Sequence, residues 1–295
     1  MNMIPEYPQS RQITLRDKPF FDAVFAQRPT EISAYSFTNI FAWRESQQTE
    51  LSRIYDHILL INNQNEHISS LEPLGVGSIK PVVEEMIRRS DRPVIFERIS
   101  GEAGGEMKDI GLIVEYDPDN SDYVYAAQDL IELAGRRFDG KRNFIARARS
   151  QIEYEYVKMD ESVAVECEAF ADLWCEHKMC ETIEGLRKER CAVNQMLTNF
   201  DSLGIVGGAI RAGGAIVAFS LGEKLNDDTL VIHAEKAHTQ IDGLYQLINN
   251  EFCKAEAQSY KYVNREQDLG IPGLRKAKQS YHPVRLIETF TAKSP

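Results

Sequence analysis

Twice along the chain, three short apolar runs joined by turn residues are followed by a segment of helical period and one more short run. That order restricts the folds open to the sequence. In the first half the runs are 51–55, 57–61 and 67–71, with Asn62, Asn63, Gln64 and Asn65 as a turn between the last two. Val82, Val83, Met86 and Ile87 then mark a helix, and 93–96 is the closing strand. In the second half the runs are 205–210, 216–221 and 230–234, linked by Ala212, Gly213 and Gly214 and by Asn226, Asp227 and Asp228, with a helix over 244–257 and a strand over 260–263. Tightly linked runs pair antiparallel, whereas a helix supplies the length that a parallel return needs. The expectation is an α/β (α+β) chain with two mixed sheets flanked by helices, repeated in architecture without an obvious repeat in sequence.

The flanking segments fit this frame. A short strand over 12–15 precedes a helix carrying Phe20, Phe21, Val24 and Phe25, and Thr30 or Ser33 caps a second helix with Tyr35, Phe37, Ile40, Phe41 and Trp43 on its core face. An apolar run, 110–114, lies between two loops, 101–105 and 117–122. Later, 152–157 alternates as a strand, and Asp160 or Ser162 caps a helix through Val165, Phe170, Leu173 and Trp174; a further helix covers 183–200. A short helix over 274–279 and a strand over 284–290 end the chain. With 295 residues two domains are expected, placed here at 1–125 and 126–295.

A net charge of -11 argues against indiscriminate binding to DNA or an anionic membrane. Five cysteines, Cys167, Cys175, Cys180, Cys191 and Cys253, are odd in number and contain no Cys-x-x-Cys, so they read as reduced thiols. No run approaches the roughly 18 apolar residues of a membrane span, and the cytoplasm is the expected compartment.

Two stretches run against the acidic balance. After residue 135 the basic segment 126–150 holds Arg136, Arg137, Lys141, Arg142, Arg147 and Arg149 against the single acid Asp139. Clustered cations of this kind attract phosphates, and the alternative is pairing with acids elsewhere in the fold. The second stretch, 264–285, concentrates polar chemistry between two apolar runs: Glu266 and Asp268 lead into Gly270, Ile271, Pro272 and Gly273, and Arg275, Lys276 and Lys278 follow on a short helix. Those three cations suit a phosphate or carboxylate, and a solvated helix is the plain alternative.

A three-stranded meander followed by a helix and a parallel strand is also the order of the Gcn5-related acyltransferase fold. Specific residues carry a closer resemblance. Asn-Arg-Glu-Gln-Asp-Leu-Gly-Ile-Pro-Gly-Leu-Arg-Lys-Ala-Lys-Gln-Ser-Tyr at 264–281, Tyr-Ser-Phe-Thr-Asn-Ile-Phe-Ala-Trp at 35–43, Lys-Arg-Asn at 141–143 and Leu-Asn-Asp-Asp-Thr at 225–229 together resemble the bacterial family classed with the C-terminal catalytic domain of phosphatidylglycerol lysyltransferase. The resemblance covers most of the chain. It implies two tandem acyl-CoA N-acyltransferase-like (Gcn5-related) domains, a kinship with aminoacyltransferases that use aminoacyl-tRNA, and a donor-phosphate role for Arg275, Lys276 and Lys278. The membrane-embedded region those enzymes carry ahead of this domain is absent, which puts a lipid acceptor in question.

The residues then suggest a chemistry. Attack of an amine on an ester or thioester needs a base, a donor to the oxyanion and close placement. Glu235 and Asp268 are the candidate bases and the Tyr281 hydroxyl a candidate oxyanion donor; the alternative for Glu235 is a salt bridge to Lys236 or Arg265, and for Asp268 the cap of its own turn. Gln240 and Gly243 match two marks of the acyl-CoA pyrophosphate loop, but Tyr245 replaces its small residue and Asp242 adds negative charge, with a helix cap by Asp242 as the structural explanation. Lys141, Arg142 and Asn264 complete the donor-binding candidates. Gly75, Val76 and Gly77 form a weaker competing loop, read more simply as a turn. His233 and His238 lack a third metal ligand, so no metal is expected. No tightly bound cofactor is expected either; the donor is aminoacyl-tRNA or acyl-CoA. The function expected is transfer of an aminoacyl or acyl group to an amine or hydroxyl, the alternatives being an acetyl-CoA-dependent N-acetyltransferase and a non-catalytic binding protein that keeps the fold.

Overall fold

Capping groups and apolar spacing place the elements in this computed structural model, which describes residues 3–63 and 66–294. Residues 64 and 65 of the expected turn therefore lie outside the described residues. The chain forms two compact units: residues up to Asp122 with 267–272 and 287–295, and 123–266 with 273–286. The second unit contains all of the basic segment 126–150, and two later pieces of chain belong to the first.

The first unit begins with β1 (Arg11–Gln12), α1 (Lys18–Gln27) and α2 (Phe37–Gln47), followed by β2 (Thr49–Ile54), β3 (His57–Asn63) and β4 (Ile68–Ser70). The Ser36 side chain caps α2 by accepting from the Asn39 N–H at 3.1 Å. Helix α3 (Lys80–Arg89) crosses over to β5 (Val94–Ile99), which pairs parallel to β4, and α4 (Gly101–Asp109) and β6 (Ile113–Tyr116) follow. Val82, Val83 and Met86 of α3 pack on Leu59, Ile61, Phe96 and Ile99 of the sheet. Each such buried side chain contributes about 1.5–3 kcal/mol.

The second unit runs β7 (Asp122–Ala126), α5 (Ala127–Glu132), α6 (Asp139–Gln151), β8 (Tyr154–Lys158), α7 (Glu161–Lys178), α8 (Glu184–Thr198) and α9 (Phe200–Leu203). It continues with β9 (Val206–Ala212), β10 (Ala215–Asn226), β11 (Thr229–Ala237), α10 (Leu244–Glu256), β12 (Tyr262–Asn264), α11 (Pro272–Gln279) and β13 (Arg285–Ile287); the last strand, β14 (Phe290–Lys293), lies in the first sheet. Strands β9, β10 and β11 form the antiparallel meander, and β12 returns parallel to β11. Leu244, Leu247, Ile248 and Phe252 of α10 seal that crossover against Ile210, Ala218 and Val263. Each unit thus carries the meander, helix and parallel strand of the Gcn5-related acyltransferase fold. The sheet orders are β1-β2-β3-β4-β5-β14-β6 and β13-β7-β12-β11-β10-β9-β8, so the first sheet includes a strand from the C-terminal end of the sequence and the second is built from β7 to β13.

Several local expectations are corrected. Residues 101–105 open helix α4 instead of a loop: Ser100 caps it by accepting from the Ala103 N–H at 3.2 Å, and Gly104 is packed closely enough that a Cβ there would stand 3.2 Å from Val114. Strand β7 starts inside the acidic stretch expected to be a loop, because Asp122 is buried and accepts from the Ser33 N–H and hydroxyl at 2.6 and 3.0 Å. Of the two readings of the basic segment, one long helix or a broken pair, the structure has the pair: it breaks at Leu133, which is left-handed, into α5 and α6. Of the apolar residues named for α7, Phe170 is buried but Val165 and Leu173 are 66% and 56% exposed, and Val163, Cys167 and Ala171 complete the buried face. Cys175 and Cys180 form a disulfide with their Cα atoms 5.1 Å apart, because the left-handed Met179 turns the chain back at the end of α7.

Candidate functional site

Strand β12 pairs with β11 only at residues 229, 230 and 231 of the latter. Beyond that point the two strands part, while β11 stays on β10 through Ala237. The cause lies in β11: Leu221 faces Ala234 and Gly222 faces Ile232, which leaves His233 as an extra residue in a β-bulge. Side chains fill the resulting splay. His233, with a side chain 0% exposed, lies 2.9 Å from Glu223 through Nε2 and 2.9 Å from Glu266 through Nδ1. Arg265 Nη2 pairs with Glu235 at 2.5 Å, and Glu235 also accepts from the Asn249 side-chain amide at 3.0 Å.

Arg265 is the centre of this site. Its guanidinium carbon stands 4.7 Å from the ring centroid of Tyr281 and 5.7 Å from that of Tyr125, while its buried Nε and Nη1 have no hydrogen-bond acceptor among the described residues. A buried donor left unsatisfied costs about 1–3 kcal/mol, so these two atoms favour an incoming oxygen. Lys141 of α6 reaches the same place: Nζ lies 3.9 Å from the Tyr281 ring centroid and donates to the Ser280 hydroxyl. Burial, and secondly the charge of Arg265, lower the Lys141 amine to about 8. Burial pushes the Tyr281 phenol well up, against the opposing effect of Arg265, so it stays protonated and can donate. For His233 burial acts downward, but the hydrogen bonds to Glu223 and Glu266 prevail and raise it to about 10.

The nominated residues distribute as follows. Glu235, Tyr281 and Lys141 come together around Arg265. Asn264 is buried beside them and accepts from the Glu266 N–H at 2.7 Å. Asp268 is buried in the first unit, where its carboxylate accepts from the Gly270 N–H at 2.9 Å. On α11, Lys278 turns inward and donates to the carbonyls of Arg265 and Glu266, Lys276 is exposed, and Arg275 is half-buried. Arg142 ties the α5–α6 loop through the carbonyls of Leu133 and Gly135. The sequence offered Arg265 only as a partner for Glu235; its one local signal is a cation directly after an apolar strand.

Gln240 is exposed, and Gly243, at φ +87°, has the Phe144 carbonyl of α6 where a Cβ would be, 1.9 Å away. Asp242 does not cap α10, whose cap is Gly243; it pairs with Arg147 at 2.9 Å, because α6 lies across this turn. At the equivalent helix start of the first unit, the Glu106 carboxylate accepts from the Ile79 N–H at 3.1 Å and from the Ser78 hydroxyl. In the first unit the Glu106 carboxylate thus occupies the helix start that would receive a pyrophosphate, and in the second the Phe144 carbonyl packs against it at Gly243. Lys236, the other partner considered for Glu235, pairs with Glu189 at 2.7 Å. Among the described residues no three His, Cys, Asp or Glu side chains group as metal ligands, and no helix is long and apolar enough to cross a membrane.

Solved structures repeat this fold over almost the whole chain. A conserved protein of unknown function from Bacteroides thetaiotaomicron is 34% identical, with a TM-score of 0.89 over 99% of this chain and 100% of that one. The C-terminal domain of a protein named as a lysylphosphatidylglycerol synthetase from Agrobacterium fabrum is 13% identical, with a TM-score of 0.69 over 95% and 92%. L-PGS from Bacillus licheniformis is 14% identical, with a TM-score of 0.67 over 99% and 94%. No curated protein sequence matches the chain. The family model for the phosphatidylglycerol lysyltransferase C-terminal domain matches residues 25–293, and the chain belongs to that family.

Proposed function

We propose that the second unit transfers an aminoacyl group from the ester of a charged tRNA to an amine or hydroxyl acceptor, with the reacting carbonyl in the β11–β12 splay. The observation that carries this reading is the pair of cations, part-buried Arg265 and buried Lys141, set around Tyr281, with two buried Arg265 donor atoms lacking an acceptor among the described residues. Arg265 and the Tyr281 hydroxyl stabilise the oxyanion as the acceptor attacks. Lys141, held at about 8, takes the proton that the acceptor loses and returns it to the departing ribose oxygen as the tetrahedral intermediate collapses. Glu235 holds the Arg265 fork in place. Exposed Lys276 and half-buried Arg275 offer charge to the donor's phosphates.

The cover of both helix N-termini, by α6 and by Glu106, supports a tRNA ester over acyl-CoA as donor. A second reading has its own observation: the closed Arg265–Glu235 pair already fills the splay, as in a binding protein without turnover. The test offers the full chain radiolabelled aminoacyl-tRNA or acetyl-CoA, each with phosphatidylglycerol vesicles or small amines. Transfer from tRNA alone supports the proposal, transfer from acetyl-CoA alone overturns the donor, and retention of charged tRNA without transfer supports the binding reading.

A further inference from the structure

The segment that presents Arg265 is strained. Glu266 is a non-glycine residue at φ +57°, a conformation that persists only where its surroundings hold it. Several contacts hold it here. Its side chain meets His233 Nδ1 at 2.9 Å, its N–H donates to the Asn264 side-chain oxygen at 2.7 Å, and its carbonyl accepts from the Tyr123 N–H of β7 at 3.1 Å and from Lys278 Nζ at 3.3 Å, while the Arg265 N–H donates to the Tyr123 carbonyl at 3.0 Å. The contact to His233 links the turn to the meander at a point where β11 and β12 share no backbone pairing, past residue 231 of β11. His233 in turn is anchored to β10 through Glu223. The bulge, the buried imidazole and the two carboxylates form one bridge across the gap, and the guanidinium of the proposed site is attached to the residue next to its far end.

We propose that His233, bridged between Glu223 and Glu266, is a positioning residue that holds the left-handed turn at Glu266 and thereby fixes the Arg265 guanidinium in the strand splay. The bridge does not touch the Arg265 side chain, and Glu235 grips the guanidinium independently, so its effect passes through the backbone of 265 and 266. The kinetic consequence rests on the transfer reading; the structural consequence does not.

The test follows the Arg265 Nε–H signal by nitrogen-15 NMR in the full-length chain, for the wild type, H233A, H233Q and E266Q. The bridge predicts at least tenfold faster exchange of that proton with water in H233A, with partial recovery in H233Q, whose amide can still reach one carboxylate. In the transfer assay it predicts a kcat at least tenfold lower with KM changed less than threefold. A lower melting temperature with unchanged Arg265 exchange and unchanged kcat would show a merely structural contact and overturn the proposal. If H233A fails to fold, E266Q, which keeps the shape and weakens the pair, gives the same reading. If the wild type transfers nothing, the transfer reading fails, and the exchange measurement alone decides the role of His233.

Discussion

The ammonium of Lys141 lies 3.9 Å above the ring of Tyr281, on the same ring that the Arg265 guanidinium approaches to 4.7 Å. Burial of the amine, and secondly the nearby charge of Arg265, explain why the lysine gives up its proton more readily than it would in water. Three consequences can be measured.

The first is a pH dependence. The amine's folded pKa, about 8, lies below the ordinary lysine value of 10.5, so the charged form costs stability below pH 8 and the cost fades as pH rises from 8 to 10.5. K141M should therefore raise the unfolding free energy at pH 6–7 by about 1–2 kcal/mol, after allowing for the lost cation–π contact, with the difference disappearing above pH 10. In transfer assays the wild-type kcat/KM should rise with pH to a limb near 8. K141R, which cannot deprotonate, should lose about 10²–10⁴ of the rate.

The second concerns the buried pair. Removing Glu235 alone leaves Arg265 uncompensated, so E235A should destabilise by about 3–5 kcal/mol, while the double variant R265M/E235M should cost much less than the sum of the single changes. Urea titrations of the four proteins measure the coupling. Additive costs would mean that the pair contributes nothing beyond its separate parts.

The third separates packing from phosphate binding at Gly243. An added Cβ would stand 1.9 Å from the Phe144 carbonyl and the residue sits at φ +87°, so G243A should destabilise the fold by at least about 2 kcal/mol. If Gly243 served instead to admit a phosphate, stability would be unchanged and only donor affinity would fall.

Much of this was legible in the sequence, because the meander and crossover are local patterns. Alternation, turn residues and helical period placed β9, β10, β11 and α10, although β10 and β11 run on past their expected ends at 221 and 234 to Asn226 and Ala237. Strand β7 was hidden, since its signal is the burial of Asp122 by Ser33, a contact 89 positions away. Likewise α4 looked like a glycine loop until Val114 was seen to require a small residue at Gly104. At the site, Glu235, Lys141 and Tyr281 could be nominated by residue type, but their meeting point could not. It depends on an unpaired strand end and a bulge at His233, both set by register. The cations of α11 illustrate the same gap: Lys276 and Lys278 look alike in sequence, yet one is exposed and the other binds backbone carbonyls.

The most direct measurement of the central claim is single-turnover transfer from radiolabelled aminoacyl-tRNA to phosphatidylglycerol or a small amine, comparing the wild type with R265K. Lysine keeps the charge of Arg265 but lacks its planar fork, so the fold can be checked by circular dichroism while the geometry of the site is lost. The account predicts transfer by the wild type and a rate at least 100-fold lower for R265K at equal fold content. Equal rates for the two proteins would contradict it.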